Sequence, residues 1–433
     1  MSIKYPNLSA ASSSYYVEPV LRLGIRKSTL NKFKFLILLI SLIFVGLMVP
    51  KLSVIMLFCL AILLVRPNTI FLKENLFLFM FSITYFTIAI IFDYPEGPVR
   101  AIINVMMVQS AYLLGVNTNW RELPYWPNNG VYAIIAFSMG MFLYSVYCFH
   151  FTMENWPLII YSRGLIHVWF DAELHPLQFC VFTATLIALI LPCIVALSRY
   201  HLREIFHFKS IIRVMLLLGL ISLGLAGLIL NTILQNRTAY VILALCSLAI
   251  FIYLLWKQKM TANLKMIGIL ISLITVTYIV LMVFLDIDLL KRIFEHRFEH
   301  GVETPRYELW TNGFYNIFEY PLGGGKLDVT RQGMTKWFHN LWLDIVRVSG
   351  VLPLILLIIF QMLHLKSIWS ILKRNDYEFL KLFIISILIY GLVIYLSIPV
   401  NETSTMAFGF TIFCLGVIRN LGYNLALDGR ISS

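Results

Sequence analysis

Charged residues are scarce in this chain. They make up 13% of its 433 residues, whereas 60% are hydrophobic, and the mean hydropathy is +0.83. Soluble globular domains carry roughly 25% charged residues. The shortage of charge therefore excludes an ordinary soluble protein and predicts a polytopic membrane protein.

Cysteine is also sparse, and the six cysteines lie within or against apolar runs. The sequence contains no CxxC spacing and no cysteine cluster. Neither a disulfide framework nor a cysteine-based zinc site is therefore expected. We interpret the cysteines as small buried side chains.

Several features that would indicate other classes of protein are missing. The sequence has no internal repeat of fixed period and no low-complexity segment. Its net charge of +12 is spread among apolar runs without a nucleic-acid-binding motif, so we expect no nucleic-acid partner. The polar stretch that precedes the first apolar run does not have the layout of a cleavable signal peptide, and we expect residues 1–34 to form a cytoplasmic tail.

The sequence does have apolar runs long enough to cross a bilayer. About twelve spans are expected. They lie at residues 35–50, 52–65, 75–92, 101–116, 131–150, 177–198, 214–233, 238–256, 266–285, 340–363, 382–398 and 404–418. We therefore predict an all-α transmembrane helical bundle over residues 35–418, followed by a cytoplasmic C-terminal tail at residues 419–433.

The distribution of Lys and Arg predicts the orientation. With both termini inside, roughly 22 of the 34 Lys and Arg residues lie on the cytoplasmic side. Two connections on the outer side are then long, at residues 151–176 and 286–338, and long loops in compact proteins are usually functional. We expect short helices in the second loop, because residues 286–300 have the pattern of an amphipathic helix on the membrane surface.

Three arginines on the outer side oppose the insertion bias, namely Arg163, Arg237 and Arg306. One interpretation is that they extend to lipid headgroups, and Arg237 is well placed for this in a short turn between two apolar runs. The other is that they bind a phosphate carried on a lipid, because a guanidinium group donates two parallel hydrogen bonds to phosphate oxygens. Arginines that converge from different loops would suit a diphosphate.

His339 and Asn340 stand where the second long loop returns to an apolar run. Nearby arginines favour a neutral imidazole, and a neutral imidazole can accept a proton from an attacking hydroxyl group. His339 is therefore a candidate general base, and a structural role at the membrane interface is the alternative. Asp344 and Arg347 have the spacing of an ion pair on one helix face, with either a structural or a functional role.

Three further patterns carry less weight. Residues 296–300 (HRFEH) match a short zinc-peptidase pattern, but the loop has no room for a peptidase domain. Residues 323–326 (GGGK) lack the spacing of a phosphate-binding P-loop. Four residues of the earlier loop would form a metal site or be solvated loop residues: His167, Asp171, Glu173 and His175. We predict no metal and no cofactor.

The second half of the chain carries short motifs in a fixed order. They are Asn236–Ala239 (NRTA), Arg306 with Trp310, Pro321–Gly325 (PLGGG), and His339–Asn340 followed by Gly350. They lie within residues 230–360. In order and spacing, this region resembles the O-antigen ligase and O-antigen polymerase superfamily of bacterial inner-membrane glycosyltransferases.

This resemblance implies a metal-independent, inverting transfer of a polysaccharide from undecaprenyl diphosphate to an acceptor hydroxyl group on the periplasmic side of the bacterial inner membrane. Arg237 and Arg306 match the arginines that hold the diphosphate in the family, with Arg163 as a third candidate. His339 matches the catalytic histidine. Two further residues are candidate supporting groups: Asn340 and, in the last outer loop, Glu402.

The ligase branch is our prediction, with lipid A-core oligosaccharide as the acceptor, because His339–Asn340 and Gly350 resemble the ligase pattern. That pattern ends in a small or hydroxyl residue where this chain has Pro353, so an O-antigen repeat-unit polymerase is the alternative. A transporter or flippase is a more distant alternative. Transporters place ionisable residues near the bilayer midplane, whereas the mid-span regions of this sequence are nearly free of charge.

Overall fold

The structure is a computed structural model of the chain. It describes residues 27–64, 67–92, 97–152, 165–166, 168–169, 173–174, 176–199, 210–234, 236, 238–256, 264, 267–268, 271, 306–325, 338–374, 377–397 and 405–431.

The described residues form fourteen α-helices, as the prediction of an all-α fold requires. The first half contains α1 (Lys27–Gly46), α2 (Leu52–Leu64), α3 (Pro67–Ile70), α4 (Lys73–Ile91), α5 (Gly97–Asn117), α6 (Asn129–Thr152) and α7 (Pro176–Arg199). The second half contains α8 (Ser210–Ile233), α9 (Thr238–Trp256), α10 (Arg306–Glu319), α11 (Leu341–Ser349), α12 (Val351–Leu372), α13 (Glu378–Ser397) and α14 (Thr405–Ile431). Two short strands of two residues each lie between α6 and α7 and form an antiparallel pair: Leu165–Ile166 and Glu173–Leu174.

Within the described part of the chain, eight helices are long and apolar enough to cross a membrane. They are α1, α4, α6, α8, α9, α12, α13 and α14. Shorter apolar helices lie at Leu52–Leu64, Ile102–Asn117 and Val181–Ala196. A multi-pass membrane protein is therefore confirmed. The total of about twelve spans stays a prediction, because most of the window at residues 266–285 lies outside the described residues.

One predicted span is two helices in the structure. The window at residues 340–363 breaks at Gly350, between α11 and α12. Gly350 has φ +81° and ψ −175°, a backbone conformation that is essentially restricted to glycine. The chain therefore changes direction at this residue, and the apolar helix long enough to cross the membrane begins at Val351.

Close helix contacts at glycine hold parts of the bundle together. Where α5 packs along α14, a Cβ atom on Gly115 would lie 2.6 Å from the carbonyl oxygen of Phe413. A Cβ atom on Gly416 would lie 2.7 Å from the carbonyl oxygen of Tyr112. Small residues let membrane helices approach this closely, because helices in lipid associate through packing rather than through the hydrophobic effect.

The outward surface of the bundle is apolar, as expected for helices that contact lipid. Large exposed side chains include Phe33, Leu63, Ile91, Trp256 and Met362. Polar groups between helices bond to one another instead. The Asn231 amide nitrogen donates to the Thr183 hydroxyl group at 2.8 Å, and the Thr185 hydroxyl group donates to that of Tyr390 at 2.7 Å.

The C-terminal end of α4 and the start of α12 lie at the same end of the bundle. The two helices pack against each other, and the Ser349 hydroxyl group donates to the carbonyl oxygen of Tyr85 at 2.7 Å. A Cβ atom on Gly324 would meet the Phe92 ring, just beyond the end of α4. This end of the bundle carries the candidate site.

Candidate active site

Three chain segments meet at this end of the bundle. They are α10, the glycine turn (Pro321–Gly325), and the turn of residues 338–340 that leads into α11. We call this last segment the His339 turn. Helix α10 packs against α11, and a Cβ atom on Gly313 would lie only 2.9 Å from the Leu343 side chain and 3.0 Å from that of Phe338.

Asn340 begins α11. Its side-chain oxygen accepts hydrogen bonds from the backbone N–H groups of Trp342 at 3.1 Å and Leu343 at 3.3 Å. Asparagine is among the preferred residues at this position because its side chain satisfies donors that have no partner within the helix. Asn340 itself is buried. It therefore fixes where the helix starts, directly after His339.

Asp344 binds the His339 turn on both sides of the histidine. One carboxylate oxygen accepts the backbone N–H of Phe338 at 2.8 Å, and the other accepts the backbone N–H of Asn340 at 3.1 Å. The Asp344 side chain is 0% exposed. One buried carboxylate thus holds the peptide groups that precede and follow His339.

His339 is held in an unfavourable backbone conformation. Its φ is +54°, in the left-handed region that costs an L-residue roughly 1–2 kcal/mol. Hydrogen bonds that involve a charged group are worth roughly 1.5–3 kcal/mol each. The two bonds from Asp344 are therefore sufficient to offset this cost. Strained residues of this kind persist only where their surroundings fix them, and they concentrate at functional sites.

Trp310 provides a third anchor. Its indole N–H donates to the carbonyl oxygen of Phe338 at 3.1 Å, so α10 is tied to the residue before His339. The first residue of α10 is Arg306, whose backbone alone is described. Residues four apart lie on the same helix face and are separated by about 6 Å along the axis. The Arg306 backbone therefore lies one turn from the anchor.

The glycine turn is joined to the junction of α11 and α12. Gly324 and Gly325 donate their N–H groups to the carbonyl oxygens of Val348 at 3.2 Å and Arg347 at 2.9 Å, and Val351 donates to that of Pro321 at 2.9 Å. A Cβ atom on Gly323 would lie 2.7 Å from the Val348 carbonyl oxygen. The backbones therefore approach too closely for a side chain.

Arg347 is a buried arginine in this unit, with 3% of its side chain exposed. Its Nε atom is 4.0 Å from an Asp344 carboxylate oxygen, and its guanidinium carbon is 5.8 Å from the centre of the Phe338 ring. The predicted Asp344–Arg347 ion pair is therefore present but long. The shorter bonds of the carboxylate go to the backbone of the His339 turn, so Arg347 mainly balances its buried charge.

The structure describes only part of the predicted site. His339 is half-buried and Asn340 is buried. Arg163, Arg237 and Glu402 lie outside the described residues, as do His167, Asp171 and His175 and the HRFEH pattern at residues 296–300. In the part of the chain that the structure describes, no three His, Cys, Asp or Glu side chains are grouped as they would be to hold a metal ion. The predicted roles of the three arginines stay predictions.

Sequence reasoning missed the hydrogen bonds that fix the His339 turn. The bond from Trp310 joins residues 28 positions apart, which no local pattern indicates. The local signal for Asp344 is incomplete. The residue that accepts the N–H of a helix-capping residue is usually three positions on, whereas Asp344 lies four positions after Asn340 and accepts its N–H at 3.1 Å.

Ionisable groups also meet inside the described spans, away from this unit: Arg419 of α14 pairs with Glu74 of α4 at 2.6 Å, and a buried histidine contacts a tyrosine. The buried His364 ring in α12 contacts the Tyr112 hydroxyl group in α5 at 3.2 Å, and its other nitrogen lies 2.8 Å from the carbonyl oxygen of Phe360. Both ring nitrogens thus have partners within the protein. Packing between α5 and α12 accounts for the His364–Tyr112 contact.

The sequence matches no protein-family model and no curated protein.

Proposed function

We propose that this protein is an O-antigen ligase, a glycosyltransferase that moves a polysaccharide from undecaprenyl diphosphate to lipid A-core. The observation that carries the proposal is the His339 turn. A half-buried histidine is held in a strained conformation at the end of a membrane bundle. Two other motifs behind the resemblance are hydrogen-bonded to the same unit: Trp310 to Phe338, and the glycine turn to the junction of α11 and α12.

His339 acts as the general base in this proposal. The acceptor hydroxyl oxygen attacks the anomeric carbon of the donor sugar, and its proton passes to the His339 imidazole. The bond from the anomeric carbon to the diphosphate oxygen breaks, and undecaprenyl diphosphate leaves with the electron pair. Attack from the face opposite the leaving group inverts the anomeric configuration.

Arginines hold the donor. Diphosphate is a good leaving group, so it needs stabilisation of negative charge rather than a proton donor. Arg306 is the candidate supported by the backbone, since it lies one helical turn from the Trp310 anchor of the His339 turn. Arg237 and Arg163 complete the proposed diphosphate site, and Glu402 is a proposed supporting residue. No metal or cofactor has a role in this reaction.

The proposed setting is the bacterial inner membrane, with both termini in the cytoplasm and the site on the periplasmic side. The lipid-linked donor then reaches the site from the bilayer. The exposed aromatic residues of α10, Phe314, Tyr315 and Phe318, support a location at the membrane surface, where aromatic side chains are favoured.

The second candidate is an O-antigen repeat-unit polymerase, which Pro353 favours because it departs from the ligase pattern. The structure offers a physical reason for this residue. Pro353 is the third residue of α12, and the first turn of a helix tolerates proline because its N–H groups have no partner within the helix. Helix geometry thus accounts for Pro353, and the ligase remains the preferred function.

A deletion strain tests the proposal and separates it from the polymerase. For a ligase, we expect lipid A-core without polymer, together with retained lipid-linked polymer. Lipid A-core capped by a single repeat unit would instead identify a polymerase, and unchanged glycolipids would contradict both functions. The wild-type gene should restore the polymer on lipid A-core, and the inserted His339→Ala protein should not.

A further inference from the structure

Asp344 is a fully buried carboxylate that the proposed reaction does not use. It is 0% exposed, and its two oxygens accept the N–H groups of Phe338 and Asn340 at 2.8 and 3.1 Å. These two residues flank His339 in the chain. We propose that Asp344 is a positioning residue that fixes the direction in which His339 presents its imidazole.

The geometry requires both carboxylate oxygens. The turn around His339, with φ +54°, directs the preceding and following N–H groups toward the same point. A carboxylate accepts hydrogen bonds at both oxygens, whereas an asparagine amide has one acceptor and one donor. Asparagine at residue 344 would retain one bond and place an NH₂ group against the other backbone N–H.

The charge of Asp344 is balanced within the same unit. Arg347 lies one turn further along α11, with its Nε atom 4.0 Å from the carboxylate. This contact is longer than the two backbone bonds, which have the length of direct hydrogen bonds. Asp344 is therefore bonded to the His339 turn in addition to its pairing with the arginine.

The effect of Asp344 on the rate of transfer rests on the proposed function. Its effect on the position of the His339 imidazole does not. Displacing a catalytic group by about 1 Å can lower a rate by about 100-fold. For Asp344→Asn we expect a kcat about 10- to 100-fold lower, with the KM for the lipid-diphosphate donor within about twofold. The KM should change little because arginines hold the diphosphate in the proposed site.

The direct test is the rate at which diethyl pyrocarbonate modifies His339, measured for each histidine by mass spectrometry in the purified full-length protein. We expect Asp344→Asn to raise the rate at His339 about threefold or more, because the turn is released. The exposed His150 is the internal reference. The matched control is Ser349→Ala, which removes a buried hydrogen bond of α11 to Tyr85 and should leave the His339 rate unchanged.

The outcomes separate the two proposals. An unchanged His339 modification rate in folded Asp344→Asn overturns the positioning role, whatever reaction the protein catalyses. A faster modification with a wild-type transfer rate supports positioning and contradicts the role of His339 as base. If Asp344→Asn does not fold, Asp344→Glu retains the charge but moves the carboxylate by one methylene group. Asp344→Glu should also raise the rate at which His339 is modified. An unchanged modification rate in Asp344→Glu would equally overturn the positioning role.

Discussion

Replacing Gly350 by alanine should disrupt the junction on which the His339 turn depends. Gly350 has φ +81° and ψ −175°, a conformation that costs other residues roughly 1–3 kcal/mol. A Cβ atom there would lie 2.5 Å from the Pro321 carbonyl oxygen and 2.6 Å from the carbonyl carbon of Leu322. Both are backbone atoms, so the glycine turn must move, at a further cost of roughly 1–3 kcal/mol.

The combined loss of about 2–6 kcal/mol should lower the melting temperature by about 2–7 °C, because the entropy of unfolding grows with the length of the chain. Melting can be followed in detergent with a thiol-reactive dye, because Cys148, Cys193, Cys246 and Cys414 are free and buried. The matched control is Gly391→Ala in α13, where an added Cβ atom meets no heavy atom within 4 Å. This control should melt at or slightly above the wild-type temperature, because glycine weakens a helix interior.

A melting temperature of Gly350→Ala within about 1 °C of the wild type, with Gly391→Ala behaving as expected, would mean that neither the strain at Gly350 nor the contact with Pro321 exists in the folded protein. Gly350→Ala should also lose transfer activity. The glycine turn is bonded to the end of α11, and α11 holds the His339 turn through Asp344.

Two further predictions concern the reacting groups. His339→Gly should be more stable than His339→Ala by about 1 kcal/mol, because glycine relieves the strain at φ +54°. Both variants should lose transfer activity. Equal melting temperatures of the two variants would argue against that strain. Arg306→Lys should lose nearly as much activity in a transfer assay as Arg306→Ala, because an ammonium group cannot form the two parallel hydrogen bonds to a phosphate; normal activity of the lysine variant would exclude such a contact.

Much of the architecture follows from composition and local pattern. The scarcity of charge and the apolar runs predict a multi-pass helical membrane protein, which the structure confirms. Asn340 before an apolar run is a recognisable helix start, and it caps α11. The break between two helices at Gly350 is harder to predict from the sequence, because an apolar run continues on both sides of it. Only the backbone conformation shows that two helices meet there.

The hydrogen bonds of the site are harder to predict for a physical reason. The spacing of Asp344 and Arg347 indicates an ion pair on a helix, and the pair is present at 4.0 Å. The positive φ of His339 brings two N–H groups within closer reach of the carboxylate, and sequence does not reveal that turn. The bond from Trp310 likewise depends on how two separate helices pack.

We propose that this protein transfers a glycan from a lipid diphosphate with His339 as the base. This activity can be measured by reconstituting the purified protein in lipid vesicles with an undecaprenyl-diphosphate-linked polysaccharide and lipid A-core. We expect the wild type to form polysaccharide-linked lipid A-core and His339→Ala to do so at least about 100-fold more slowly. Transfer by His339→Ala at the wild-type rate, or no transfer by folded wild-type protein, would contradict the claim.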